Sequence, residues 1–175
     1  MNANGSQSNR AHTLTLQVEN RLGVLARIAG LISAKGYNID SLSVGVTQDP
    51  TVSRITLVTR GDERVLEQIR KQLSKLIDTI KVMDMVKEET VQREMMLVKV
   101  SAPRTARAEI LQIVEVFRAR IVDLSAETLI IEITGDDGKI GAFLELLAPF
   151  GLKEIARTGK AALSRGPRTL KGVKG

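Results

Sequence analysis

The run Asn20-Arg21-Leu22-Gly23-Val24-Leu25 lies between an alternating strand and an apolar-striped helix, and its residue types suit the capture of a small carboxylate. Asn20 is spaced to cap the helix, and Gly23 has no side chain to cover the amides of the first turn. Those amides, together with the positive end of the helix dipole, favour an anion. Leu22, Val24, Leu25 and Ile39 around them are aliphatic. That suits the side chain of an apolar amino acid better than a phosphate or a nucleotide, so the stretch reads as a sensing site rather than a reacting one.

The rest of the sequence offers little for catalysis. There is no cysteine and a single histidine, His12, placed just before the first strand. This excludes thiolate nucleophiles, disulfides, cysteine-ligated zinc and a histidine cluster, and it fits a cytoplasmic protein. No strand-end group of acids supplies a nucleophile and base pair. Asp136 and Asp137 read as acids at a helix N-terminus rather than as half of a metal site. The lead, residues 1–11, is polar and reads as disordered, without the apolar core of a secretory signal. No segment has the roughly 18 apolar residues of a membrane span.

The formal charge of +6 is local. Arg157, Lys160, Arg165, Arg168, Lys171 and Lys174 fall in the last 19 residues with no acid among them. The body is therefore neutral, and the basic end, residues 168–175, reads as a solvated tail, as an anchor on an acidic partner face or as a weak polyanion contact.

The elements that position the turn follow from periodicity. Leu14, Leu16 and Val18 alternate with polar residues as a strand, and from Leu22 to Lys35 the apolar positions move to helical spacing, with Gly36 as the stop. Ser41 to Val46 and Ser53 to Thr59 flank the Asp49-Pro50 break as a hairpin. Glu63 to Leu76 is a second helix and Thr79 to Val86 a fourth strand. This βαββαβ order is ferredoxin-like.

The plan then repeats: Met95–Val100, Thr105–Arg118, Ile121–Ser125, Leu129–Thr134, a helix opened by Gly135-Asp136-Asp137-Gly138 and ended by Pro149, and Leu152–Arg157. The expected organisation is an α+β chain of two consecutive ferredoxin-like domains, 12–87 and 95–167, joined by a charged linker at 88–94. In the second copy Ala102-Pro103-Arg104-Thr105 replaces the Asn-x-x-Gly turn and leaves no evident ligand cradle. Sensing is expected in the first half and partner contact in the second.

The stretch HTLTLQVENRLGVLARIAGLISAKGYNIDSLSV resembles an ACT domain. With DPTVSRITLVTRGDERVLEQIRKQLSKLIDTIKV, REMMLVKV and ARTGKAALSRG, the chain from about residue 12 to 167 resembles the small, regulatory subunits of acetolactate synthase. The resemblance implies a non-catalytic chain with no cofactor of its own, whose large catalytic partner carries thiamine diphosphate, FAD and magnesium. It implies activation of that partner and feedback inhibition by a branched-chain amino acid, usually valine, held at a homodimer interface. The positions matching the family's effector motifs are Asn20, Leu22, Gly23, Val24 and Leu25 on one subunit, and Asn38 and Ile39 on the other.

Simpler roles stand beside these. Gly36-Tyr37-Asn38 also fits a helix stop and turn, Ala29-Gly30 fits close helix-to-sheet approach, and His12 fits a surface residue leading a strand. The alternative function is a ferredoxin-like RNA-binding module, since such modules share the βαββαβ order. They stack bases on strand aromatics, however, and at 2% aromatic content the equivalent strands here carry Leu, Val and Thr. Neither nucleic acid nor membrane is expected as a partner.

Overall fold

A computed structural model describes residues 10–85 and 89–170. The chain forms two compact units, one comprising residues up to Val91 together with those from Lys160 onward, the other Gln92–Gly159.

In the first unit, the alternation expected around Leu14 forms β1 (Arg10–Glu19), followed by α1 (Val24–Ala34), β2 (Ile39–Val46), β3 (Val52–Gly61), α2 (Glu63–Leu73) and β4 (Thr79–Asp84). The sheet is antiparallel with order β2-β3-β1-β4, so β2 and β4 are its edges. Leu14 pairs with Leu57 and Leu16 with Ile55. These residues meet Val24, Ile28 and Ile32 of α1 and Ile69 and Leu73 of α2 in one buried core. Asp62 caps α2 by accepting a hydrogen bond from the Val65 amide at 2.8 Å.

The other sheet face carries Thr15, Thr56 and Val58, all buried. A strap formed by the chain from Lys160 lies on this face. Arg54 Nη2 donates to the Ala162 carbonyl at 2.7 Å, the Lys160 amide donates to Ser41 Oγ at 3.4 Å, and Ser164 Oγ lies 3.3 Å from Met83 Sδ. Ala162 and Leu170 are buried. Burial draws the Arg54 pKa below the ordinary arginine value, yet the guanidinium remains a cation at neutral pH.

The second unit repeats the order with the body of β5 (Thr90–Ser101), α3 (Arg104–Val116), β6 (Arg120–Leu124), β7 (Thr128–Gly135), α4 (Asp137–Leu147) and β8 (Leu152–Arg157). Its strand order is β6-β7-β5-β8. Met96, Val98 and Val100 pack with Ile110, Ile131, Phe143 and Leu147, and the Phe117 and Phe143 rings stand 5.2 Å apart. Asp136 is the N-cap of α4, accepting from the Lys139 amide at 2.9 Å.

The architecture is the expected pair of ferredoxin-like units, with several local differences. Thr90–Glu94, expected within a linker, belongs to β5. Glu94 is buried there and faces Arg157 at 3.8 Å, which offsets the cost of placing its charge in a strand. Residues 160–167, expected in the second domain, group with the first unit, as does the described part of the tail. They include a strand not expected from sequence, β9 (Ala161–Ser164). His12 lies inside β1 opposite Thr59 and is half-buried, so it does not lead the strand from the surface. The lead at residues 1–9 and the last five residues of the basic tail lie outside the described residues.

Candidate effector site

Helix α1 begins at Val24, two residues later than its apolar pattern suggests, because Gly23 is its N-cap in a left-handed conformation, φ 82° and ψ −8°. Only glycine adopts that geometry without strain. The Gly23 carbonyl accepts from the Arg27 amide at 3.0 Å, closing the first turn. The amides at the start of a helix have no partner within it, and here the Val24 amide makes only a long 3.5 Å contact with the Arg21 carbonyl. A Cβ placed on Gly23 would meet nothing within 4 Å. The turn is open to its surroundings.

Asn20 does not cap α1. Gly23 holds that position with no side-chain cap bond, and Asn20 Nδ2 donates instead to the Pro50 carbonyl at 2.9 Å, while its amide donates to the Thr51 carbonyl at 2.7 Å. Asn20 therefore ties the turn to the tip of the β2–β3 hairpin. A second anchor comes from Asp78, whose carbonyl accepts from the Glu19 amide at 2.9 Å and whose buried carboxylate pairs with Arg27 at 2.9 Å. The turn is thus clamped on two sides before any ligand arrives.

The aliphatic residues separate into two groups. Leu22 is fully exposed and Leu25 is exposed, so both face outward at the turn. Val24 points into the core and Ile39 packs partly against it. Val24 therefore has only its backbone to present to a ligand, contrary to the expectation that its side chain forms part of the pocket wall. Tyr37 is half-buried against the same core and lines a small cavity between α1 and α2 with Lys35 and Gln72. This agrees with a packing role.

Asn38 stands beyond the other end of α1. Its Nδ2 donates to Asp40 Oδ1 at 3.0 Å, its carbonyl accepts from Thr59 Oγ1 at 2.7 Å, and Asp40 pairs with Arg60 at 2.6 Å. An 11-residue helix is about 16 Å long. Within one chain, the Asn20–Leu25 turn and the Asn38–Ile39 segment are therefore too far apart for one amino acid to touch both.

The edge strand next to Asn38 carries exposed apolar residues. Val44 pairs with Ile55 and Val46 with Ser53 in β3, on the helix side of the sheet, yet they are 47% and 60% exposed. Their alternation marks them as strand residues in the sequence, but nothing in that pattern marks them as exposed at an edge.

The second unit closes its equivalent turn with its own residue. Pro103 is the N-cap of α3, and Arg107 Nη2 lies 2.7–3.0 Å from the carbonyls of Ala102, Ser125 and Ala126. A cationic side chain thus holds the hairpin tip where the first unit uses Asn20, in keeping with the absence of a cradle there.

Among the described residues no group of three or more His, Asp or Glu is placed to hold a metal, and no helix is long and apolar enough to cross a membrane. Phe117 caps α3, Phe143 lies in α4 and Phe150 in a short 3-10 turn. None stands on a strand where an RNA base would stack.

The fold and the glycine-opened turn define a tandem ferredoxin-like chain of the ACT-domain class. Residues 14–81 match the AHAS small subunit-like ACT domain, and residues 93–166 match the family described as small subunit of acetolactate synthase. A probable acetolactate synthase small subunit of Methanothermobacter thermautotrophicus is 53% identical over 160 residues, covering 91% of this chain and 95% of the relative. The acetolactate synthase small subunit of Aquifex aeolicus is 54% identical over 157 residues, covering 89% and 82%. The crystal structure of the small subunit from Thermotoga maritima is similar with a TM-score of 0.80 at 42% identity, covering 90% of this chain and 98% of that one. The chain belongs to the acetolactate synthase small-subunit family.

Proposed function

We propose that this chain is the non-catalytic regulatory subunit of acetolactate synthase, which activates the large catalytic subunit and makes it sensitive to valine or another branched-chain amino acid. Thiamine diphosphate, FAD and magnesium belong on the catalytic chain. The observation that carries the reading is the placement of the two candidate half-sites at opposite ends of α1, beside an unpaired edge strand. Pairing β2 with β2 of a second copy makes one eight-stranded sheet and brings Asn38–Ile39 of one protomer to the Asn20–Leu25 turn of the other. It also covers Val44 and Val46. The effector carboxylate takes hydrogen bonds from the Gly23, Val24 and Leu25 amides, and the two asparagines hold its polar end. Leu22, Leu25 and the partner's Ile39 surround the aliphatic side chain.

Binding across two subunits stabilises one quaternary arrangement, and the coupling to the catalytic subunit is reciprocal and typically worth about 1–3 kcal/mol. The test is thermal unfolding of the chain with valine, leucine and isoleucine in turn, followed by assay of the reconstituted synthase with the stabilising amino acid. The expected result is a concentration-dependent rise in Tm with one of the three and inhibition by the same one. No rise with any of them refutes the effector assignment, and unchanged activity of the catalytic subunit on adding this chain refutes the regulatory one.

A further inference from the structure

We infer that the gap between α1 and α2 is a further binding site of the first unit, one that takes a short aliphatic monocarboxylate. Its floor is Leu31 and Ile32 of α1 and Ile69 of α2, two of them buried and Leu31 half-buried. Its rim is polar, formed by Lys35 at the end of α1, Tyr37 beyond it, and Gln68 and Gln72 of α2. Gln68 and Gln72 are one helical turn apart, so both carboxamides lie on one face. An amphipathic helix normally turns apolar residues toward its neighbour. Here α2 turns these two toward the gap. Among the described residues, none of the four rim side chains has a hydrogen bond or ion pair. Convergent polar groups around an aliphatic floor are the mark of a small-molecule site.

Size and charge choose the ligand. The gap has a volume of about 60 Å³, and by the same measure one water needs about 10–15 Å³, so there is room for about five non-hydrogen atoms. Propionate has that size, and a branched-chain amino acid is too large. Lys35 supplies the only formal charge among the lining residues. Glu67, beside Gln68 on α2, is engaged with Lys71 at 3.0 Å. A carboxylate therefore has a cation to meet, and an ammonium group has no acid. The negative end of α1 is blunted, because the Ile32 carbonyl accepts from the Lys35 and Tyr37 amides at 3.2 Å and the Ser33 carbonyl from the Gly36 amide at 2.9 Å. The Lys35 ammonium, the Tyr37 hydroxyl and the carboxamide NH2 groups donate to the carboxylate, and its alkyl end lies on the isoleucines. The inference does not depend on the effector assignment, since the Asn20–Leu25 turn is at the other end of α1.

The test is titration of the full-length protein with propionate, L-alanine and n-propanol, followed in amide and methyl NMR spectra. Propionate is expected to give saturable shifts centred on Leu31, Ile32, Tyr37 and Ile69, in the millimolar range suited to so small a ligand. The zwitterion and the neutral alcohol bind at least tenfold more weakly. Lys35→Met keeps the aliphatic stem and removes the charge, and lowers propionate affinity about tenfold. Lys35 is exposed, and the variant's own spectrum shows that it is folded. Absence of saturable shifts, an equal response to L-alanine or n-propanol, or an unchanged response in Lys35→Met overturns the inference. So do shifts centred on Gly23–Leu25, which place the carboxylate at the effector turn instead.

Discussion

Replacing Gly23 separates backbone strain from ligand recognition, because the two depend on different atoms. At φ 82° a residue with a Cβ is strained by about 1–2 kcal/mol. The space around that Cβ is empty to 4 Å, so no steric cost is added. Gly23→Ala is therefore expected to lower Tm by roughly 5–15 °C, from about 4–8 °C per kcal/mol for a domain of this size. Aspartate tolerates the left-handed region better than alanine, so Gly23→Asp is the less destabilised of the two. Its carboxylate, however, sits where the effector's carboxylate must accept from the first-turn amides. Loss of one charge-assisted hydrogen bond is worth about 1.5–3 kcal/mol, which corresponds to about a 10- to 100-fold loss of valine affinity. Thermal unfolding and titration calorimetry on both variants measure the two quantities. The expected pattern is crossed, with alanine worse for stability and aspartate worse for binding. A folded Gly23→Asp protein that binds valine as the parent does refutes the placement of the effector, and a Gly23→Ala protein with the parent's Tm refutes the strain.

Asn20→Ala removes the hydrogen bond to the Pro50 carbonyl and is expected to cost about 0.5–1.5 kcal/mol, with faster amide exchange at Thr51 and Val52. Exchange unchanged at the hairpin tip would show that Asn20 does not hold it. Arg54→Ala removes the donor to Ala162 and should raise deuterium uptake across 161–164 while leaving α1 and α2 protected. Asp136→Ala removes the cap of α4 at a cost of about 1 kcal/mol. Phe143→Ala empties the second core and is expected to cost about 3–5 kcal/mol. Denaturant unfolding ranks the last two.

The fold was legible where burial is one-sided. Leu14-x-Leu16-x-Val18 and the stripe Leu66, Ile69, Leu73 carry their period in the sequence because one face of each meets the core. The β9 strap was not legible: a four-residue strand, Ala161-Ala-Leu-Ser164, is too short to show a period, and Arg54, which anchors it, is 108 residues away. Thr90–Glu94 read as a linker because its polar residues outnumber its apolar ones, and nothing local reveals that Glu94 faces Arg157. At the turn, the sequence identified Gly23 as the opening but assigned Asn20 to the helix. Asn-x-x-Gly before an apolar run is a cap pattern, and the competing acceptor, the Pro50 carbonyl, lies 30 residues along the chain. The distance separating Asn38 from Asn20 follows from the helix between them. The exposure of Val44 and Val46 depends on how far the two helices reach across the sheet, which periodicity does not encode.

Because the strap belongs to the first unit while residues 92–159 form the second, the order of synthesis and the order of completion differ. The helical side of the first sheet has all its strands and helices once residue 84 is made, but the strap on its other side is made only after residue 159. The inserted unit is translated in full before it, so in a growing chain Thr15, Thr56 and Val58 wait for their cover while a whole neighbouring domain folds. A nascent chain stalled shortly before Lys160 would present that bare sheet face to chaperones, and one released after Leu170 would not.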